Sequence, residues 1–339
     1  MTIIYPVLSS PATIGVTAPS SGLYKEQYSL LERAIEKMEI KGFKVKVGDT
    51  CWMQYKAKSA PAKTRAYELN TMLQDDSIHF IFPPWGGELL IELLEHIEFE
   101  KIQPKWILGY SDTSVLLLAT TLKTGIATAH GTNIIDLRGI STDPTTAMWE
   151  KVLSTKKNEE VIQYSSENYQ LEWRHESETE HVFHLTERTR WKTVSNNPMY
   201  VKGRLLGGCI DVIRHLIGTP YGDVREFQSQ YINNEPIIWY LENCELNTPD
   251  LRRSLVQMKL AGWFDHCSAI LFGRSPANEP KEDYHVVDVY MELAEELGIP
   301  IGYDIDCGHM PPQMTFVNGA YAEVRIYNQA GMVTQRFID

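Results

Sequence analysis

No stretch of the 339-residue chain approaches the roughly 18 consecutive apolar residues that a bilayer-crossing helix needs. Even the run Val115 to Ala119 is broken at once by Thr120 and Thr121. Positive charge is scarce: 32 Lys and Arg stand against 44 Asp and Glu, a net of −12. That balance argues against nucleic acid and against an anionic membrane as partners. Cysteine is sparse as well. Cys51, Cys209, Cys244, Cys267 and Cys307 are odd in number, far apart and free of any C-x-x-C, so reduced thiols in a cytoplasmic protein are expected instead of a disulfide framework. Met1 to Ala18 carry no Lys or Arg and lack the charged start of a secretory signal, which points to the same compartment. The ten histidines form no H-E-x-x-H or other tight ligand set, so neither a metal nor an organic cofactor is expected. The phosphate-cradling G-x-x-x-x-G-K-[ST] loop and the G-x-S-x-G elbow of hydrolases are both missing.

What remains is a chain 43% hydrophobic and 22% charged, the composition of a globular protein long enough for two domains. Over the first 155 residues strand and helix patterns alternate. Strands are expected at Thr13–Ala18, Phe43–Val47, Ile78–Phe82, Trp106–Gly109 and Ile126–Ala129. Helices are expected from about Lys25, over Ala62–Leu73, from Gly86-Gly87 through Leu94, and over Thr113–Leu122. Such alternation gives an α/β fold with a parallel sheet, in which ligands gather beyond the carboxyl ends of the strands. Residues 156–198 are rich in Glu, Ser, Thr, His and Arg and read as a linker with an excursion outside the core. From residue 199 to 339 the pattern resumes with more strand, as a smaller mixed α/β domain rich in antiparallel strands. Its tail reads as hairpins, with Asn318-Gly319 as the clearest turn.

Three places after buried strands carry residues with chemical potential. In Gly109-Tyr110-Ser111-Asp112-Thr113 a serine hydroxyl sits where the following helix turns its N–H groups toward developing negative charge; Ser is also a preferred helix cap, and that is its commoner role. In Pro83-Pro84-Trp85-Gly86-Gly87-Glu88 paired glycines allow close backbone approach to a ligand, or simply a tight turn. Glu242 ends the strand Ile237–Leu241, and His309 lies in Asp306-Cys307-Gly308-His309-Met310. A nucleophilic serine needs a base, and the base needs a carboxylate to fix its tautomer. On the residues alone His130 competes with His309 for the first role, and Cys209 and Cys307 compete with Ser111 as nucleophiles, although buried inert thiols are commoner.

Gly86-Gly87, Gly109-Tyr110-Ser111-Asp112, Gly203-Arg204-Leu205-Leu206-Gly207-Gly208, Leu241-Glu242-Asn243 and Gly308-His309 follow one another in an order that resembles the LD-carboxypeptidase and microcin C immunity serine peptidases. The resemblance spans nearly the whole chain. It implies Ser111 as nucleophile, His309 as general base and acid, Glu242 as the carboxylate that orients it, and the amides of Gly87 and Asp112 as an oxyanion hole. It also implies a flavodoxin-like amino-terminal domain, a homodimer, and a small peptide or peptidyl-nucleotide substrate touching Trp85 and Gly86. Two positions depart from many LD-carboxypeptidases: Trp85-Gly86-Gly87-Glu88-Leu89 stands for Arg-Gly-Gly-Tyr-Gly, and Cys209 for Asn. One branch of the family cuts the amide between a terminal aspartate and a modified nucleotide; the other releases D-Ala from muropeptides. Trp173 and Trp191 favour the first branch if either stacks on a purine, and favour neither if they pack at the domain interface. A non-catalytic protein binding peptide or nucleotide in the same cleft is the alternative of another class.

Overall fold

The computed structural model describes residues 1–173 and 177–339. Apolar runs bounded by turn residues become the parallel strands of a first sheet. Strands β1 (Thr13–Val16), β2 (Lys44–Val47), β3 (Phe80–Ile81), β4 (Trp106–Gly109) and β5 (Thr128–His130) lie in the order 2-1-3-4-5. This is the flavodoxin-like order, whose switch point falls between β1 and β3. β4 is buried throughout, as a central parallel strand must be, whereas β2 at the edge alternates between exposed and half-buried. Helix α1 (Tyr28–Ile40) buries Leu31, Ala34 and Met38, which share one face at helical spacing. Helix α2 (Ala62–Gln74) follows the second run, and α3 (Thr113–Thr124) is buried on every face from Thr113 to Leu122. The uniform apolarity of α3 is thereby explained: both sheets pack against it.

The helix expected to open at Gly86-Gly87 begins later and is wound more tightly, as a 3-10 helix over Leu90–His96. Its first free N–H, that of Leu90, donates to the Asp112 carboxylate at 2.8 Å. The glycine pair is left as a loop that runs past the start of α3.

Residues 156–198 correct the reading of an excursion. They hold β6 (Glu160–Tyr164), β7 (Asn168–Tyr169), β8 (Glu187–Arg188) and β9 (Lys192–Thr193). The rest of the chain adds β10 (Met199–Cys209), β11 (Ile237–Glu242), β12 (Cys267–Gly273), β13 (Ile301–Ile305), β14 (Phe316–Asn318), β15 (Tyr321–Tyr327) and β16 (Ala330–Arg336). An eight-stranded sheet runs β6-β16-β15-β10-β11-β12-β13-β9, so the supposed linker supplies both of its edges, while β7 and β8 pair with each other. Edge strands bury only alternate side chains. In β6 Val161 and Gln163 point inward between exposed neighbours, and composition averaged over such a segment looks polar. Strands β10 to β13 are mutually parallel, so their carboxyl ends share one edge of the sheet.

The tail also differs from a plain run of hairpins. Asn318-Gly319 is a turn, but it joins two sheets: β14 pairs antiparallel with β5 as the sixth strand of the first sheet, and β15 belongs to the second. The two-residue hairpin lies instead at Asn328-Gln329, where both residues have positive φ (49° and 64°) between the paired β15 and β16. Asn318 fastens the junction. Its Oδ1 accepts from Gly207 N–H (3.0 Å) and Tyr240 Oη (2.7 Å), and its Nδ2 donates to Thr128 Oγ1 at 3.2 Å.

Candidate active site

The carboxyl ends of both parallel strand sets meet over the start of α3. β4 ends at Gly109, and the chain must reverse within Tyr110-Ser111-Asp112 to enter the helix. Ser111 takes φ +63°, a left-handed conformation that costs a non-glycine residue energy and lifts its side chain out of the turn. The strained strand-to-helix serine of hydrolases is thus present without its usual G-x-S-x-G spelling. Space around it comes from elsewhere: a Cβ on Gly86 would stand 2.6 Å from Ser111 Cβ and 2.8 Å from its Oγ, so only glycine fits there. Among the described residues, the N–H groups of Gly87 and Asp112 have no hydrogen-bond acceptor. The Asp112 side chain faces away, accepting from Ser20 Oγ and Leu90 N–H, and burial pushes its carboxyl up to about 6.

His309 arrives on the loop after β13. Its Nε2 lies 3.0 Å from Ser111 Oγ and its Nδ1 2.8 Å from Glu242 Oε2. Glu242 is fully buried at the end of β11, beside Cys209 at the end of β10. Gly308 makes the approach possible: it has φ +97°, and a Cβ there would fall 2.6 Å from both Glu242 Cβ and Oε2. Burial opposes charge on the imidazole, but the Glu242 carboxylate and the Cys244 side chain together outweigh it and hold His309 well above the ordinary histidine value. Burial likewise opposes ionisation of Glu242, and the His309 charge reverses this, so the carboxyl titrates below its usual range. Tyr110 packs edge-on against the His309 ring at 5.1 Å.

The competitors are separated by burial. His130 lies at the end of β5 between the rings of Tyr110 and Tyr240, its Nε2 without a partner among the described residues. Burial lowers it to about 4, and its Nδ1 faces the Cys307 thiol at 3.8 Å. Cys209 and Cys307 are buried thiols whose ionisation burial suppresses. The two tryptophans also part ways. Trp173 reaches the site, donating from Nε1 to the His309 carbonyl at 3.0 Å. Trp191 does not: it is 1% exposed, inside the core beneath the eight-stranded sheet, with its indole N–H on Asp306 at 2.8 Å. Trp191 stands just before β9 with its indole turned into the core, not toward a ligand as expected. The Trp85 indole is half-buried and donates to Gly22 O at 3.0 Å.

Several participants escaped the sequence reading. Ser20 and Ser21 follow β1 and close on the glycine pair, Ser21 N–H donating to Gly86 O at 3.1 Å; their signal was the small-residue turn Pro19-Ser20-Ser21-Gly22. Asp211 accepts from the N–H groups of Cys244 (3.0 Å) and Glu245 (2.8 Å), shaping the loop after Glu242. No local pattern marks that role. Among the described residues no group of three or more His, Cys, Asp or Glu side chains is arranged to hold a metal ion.

Comparison with known proteins agrees in both halves. The LD-carboxypeptidase N-terminal domain matches residues 14–131 and the LD-carboxypeptidase C-terminal domain residues 202–324. The chain belongs to the LD-carboxypeptidase family. It is therefore a serine-type carboxypeptidase. A putative carboxypeptidase of Vibrio cholerae is 25% identical over 98% of this chain and 97% of its own. The microcin C7 self-immunity protein MccF of Escherichia coli is 26% identical over the same shares. Among solved structures, MccF without ligand superposes with a TM-score of 0.83 at 23% identity, covering 99% of this LD-carboxypeptidase and all of that chain. A muramoyltetrapeptide carboxypeptidase from Oxalobacter formigenes reaches 0.73 at 19% identity, over 96% and 99%.

Proposed function

We propose that this enzyme hydrolyses an amide at the carboxyl end of its substrate through Ser111, His309 and Glu242. The single observation carrying the proposal is the unbroken hydrogen-bonded chain from hydroxyl to imidazole to buried carboxylate, at 3.0 and 2.8 Å. Ser111 Oγ passes its proton to His309 Nε2 and attacks the carbonyl carbon. The oxyanion so formed accepts from the N–H groups of Gly87 and Asp112. The imidazolium, held in its tautomer by Nδ1–H on Glu242, then protonates the departing nitrogen as the C–N bond breaks. Water, deprotonated by the same Nε2, cleaves the ester and returns the serine.

For substrate we favour an aminoacyl nucleotide amide. Solved MccF structures hold aspartyl sulfamoyl adenosine and glutamyl sulfamoyl guanosine, and Trp173, bonded to the His309 carbonyl, is the aromatic on which a base would stack. A muropeptide tetrapeptide is the second reading, supported by the family match and by the muramoyltetrapeptide carboxypeptidase of like fold. Hydrolysis of aspartyl sulfamoyl adenosine and of a muropeptide tetrapeptide, followed side by side by chromatography, tests both. Turnover of the nucleotide is expected, with Ser111→Ala slower by about 10⁴-fold or more. Preferred release of D-Ala would overturn the substrate, and an unimpaired Ser111→Ala the mechanism. A homodimer in the cytoplasm is part of the same proposal.

A further inference from the structure

The run Arg188-Thr189-Arg190-Trp191-Lys192-Thr193 alternates strictly between exposed and buried side chains. Thr189 (7% exposed), Trp191 (1%) and Thr193 (7%) point inward. Arg188, Arg190 and Lys192 point outward on one face, in a protein whose net charge is −12. At about 3.3 Å per residue, alternate side chains of an extended chain stand roughly 6.6 Å apart, so three cations line up over about 13 Å. They border a cleft of about 450 Å³ that also involves Arg274, Tyr169 and Met310, and whose acidic members are Glu187 and Asp304. Asp304 is matched by Lys192 at 2.8 Å. Among the described residues Arg188 and Arg190 have no ion-pair partner.

Arg274 forms the floor. It is 4% exposed; its Nη2 is paired with Asp306 Oδ1 at 2.8 Å, while Nε and Nη1 have no partner among the described residues. The Tyr169 ring covers its guanidinium at 4.7 Å. Buried guanidinium N–H groups left without acceptors are costly, and they point to an acceptor supplied from outside the chain. We propose that this cleft binds a small polyanion carrying two adjacent phosphate groups, one between Arg188 and Arg190 and the other reaching Lys192 and Arg274. Arginine forks suit phosphate oxygens, and the row is longer than one phosphate requires. The cleft lies behind the reactive histidine: Arg274 Nη2 also donates to the carbonyls of Met310 and Pro312 (3.2 Å each), on the loop that carries His309.

Titration calorimetry of the full chain with inorganic pyrophosphate tests this, with orthophosphate as comparator. Saturable binding that weakens with ionic strength is expected, tighter for pyrophosphate, and about tenfold or more weaker in Arg188→Ala/Arg190→Ala. Both arginines are exposed, and circular dichroism checks that the variant is folded. Cations that only keep an edge strand from pairing with another chain would leave pyrophosphate unbound. No binding at millimolar pyrophosphate, or equal binding by the folded double variant, overturns the proposal.

Discussion

At the scale of single residues, the site depends on two glycines as much as on its reactive groups. Gly308→Ala would force a left-handed alanine whose methyl group overlaps Glu242. We expect kcat to fall by about 10²-fold or more, since roughly an ångström of misplacement in a catalytic group has that cost; steady-state kinetics on the folded variant checks it. On the proposed mechanism, the Glu242–His309 pair sets the pH dependence. A proton acceptor must be neutral, and Glu242 raises the His309 value, so kcat/KM should climb with pH through that raised value. In Glu242→Gln the climb should move to lower pH while the plateau drops; an unmoved climb would mean the carboxylate does not act on His309. The pair's contribution to stability runs the other way with pH. It is full between the unfolded carboxylate value of 4.5 and the unfolded histidine value of 6.5. It fades as pH rises through the raised His309 value, and is lost again as pH falls through the lowered Glu242 one. Trp173→Ala should weaken binding of aspartyl sulfamoyl adenosine by about tenfold or more, the worth of one base-stacking contact. Calorimetric affinity equal to that of the unaltered protein would remove Trp173 from the substrate site. The positions of Ser111 and His309 on loops after buried strands were legible in the sequence, whereas their proposed roles came from the family resemblance. The burial of His130 between Tyr110 and Tyr240 was not legible in the sequence, because it comes from strands far apart in the chain.

At the scale of elements, periodicity was a good guide where an element is long and its apolar face regular. The spans of α1 and α2 and of β4 were legible within a residue or a few. The 3-10 turn over Leu90–His96 was not, because its start is set by the Asp112 carboxylate 22 residues away in sequence. The edge strands β6 and β9 were lost for a related reason: two to five residues with one buried face carry too little apolar signal. Trp191 illustrates the cost of reading such a segment as surface. Trp191→Phe keeps the ring but leaves the buried Asp306 oxygen one donor short, which costs about 1–3 kcal/mol. A lowered denaturant midpoint with unchanged KM is expected, and a raised KM would return Trp191 to the substrate.

At the scale of the whole molecule, the two sheets are not independent bodies. β14 completes the first sheet and three residues later the chain enters the second, with Asn318 bonded to both. Asn318→Ala strands the Gly207 N–H, the Tyr240 hydroxyl and the Thr128 hydroxyl together. Its unfolding midpoint should fall, and calorimetry should show both sheets melting in one transition before and after; separate transitions in the parent protein would contradict this coupling. A two-region α/β plan was readable from the alternation of runs, whereas the crossing of β14 was not, since a three-residue strand beside a turn looks the same whichever sheet it joins. That joined frame brings a serine after β4, a glutamate ending β11 and a histidine after β13 into line.

The most direct test of that convergence is the site of attachment of a fluorophosphonate, located by peptide mass spectrometry. Stoichiometric modification of Ser111, slowed by at least about 10³-fold in His309→Ala, is the result the account predicts. An unmodified Ser111 in the folded, unaltered protein, or equal labelling without the imidazole, would contradict it.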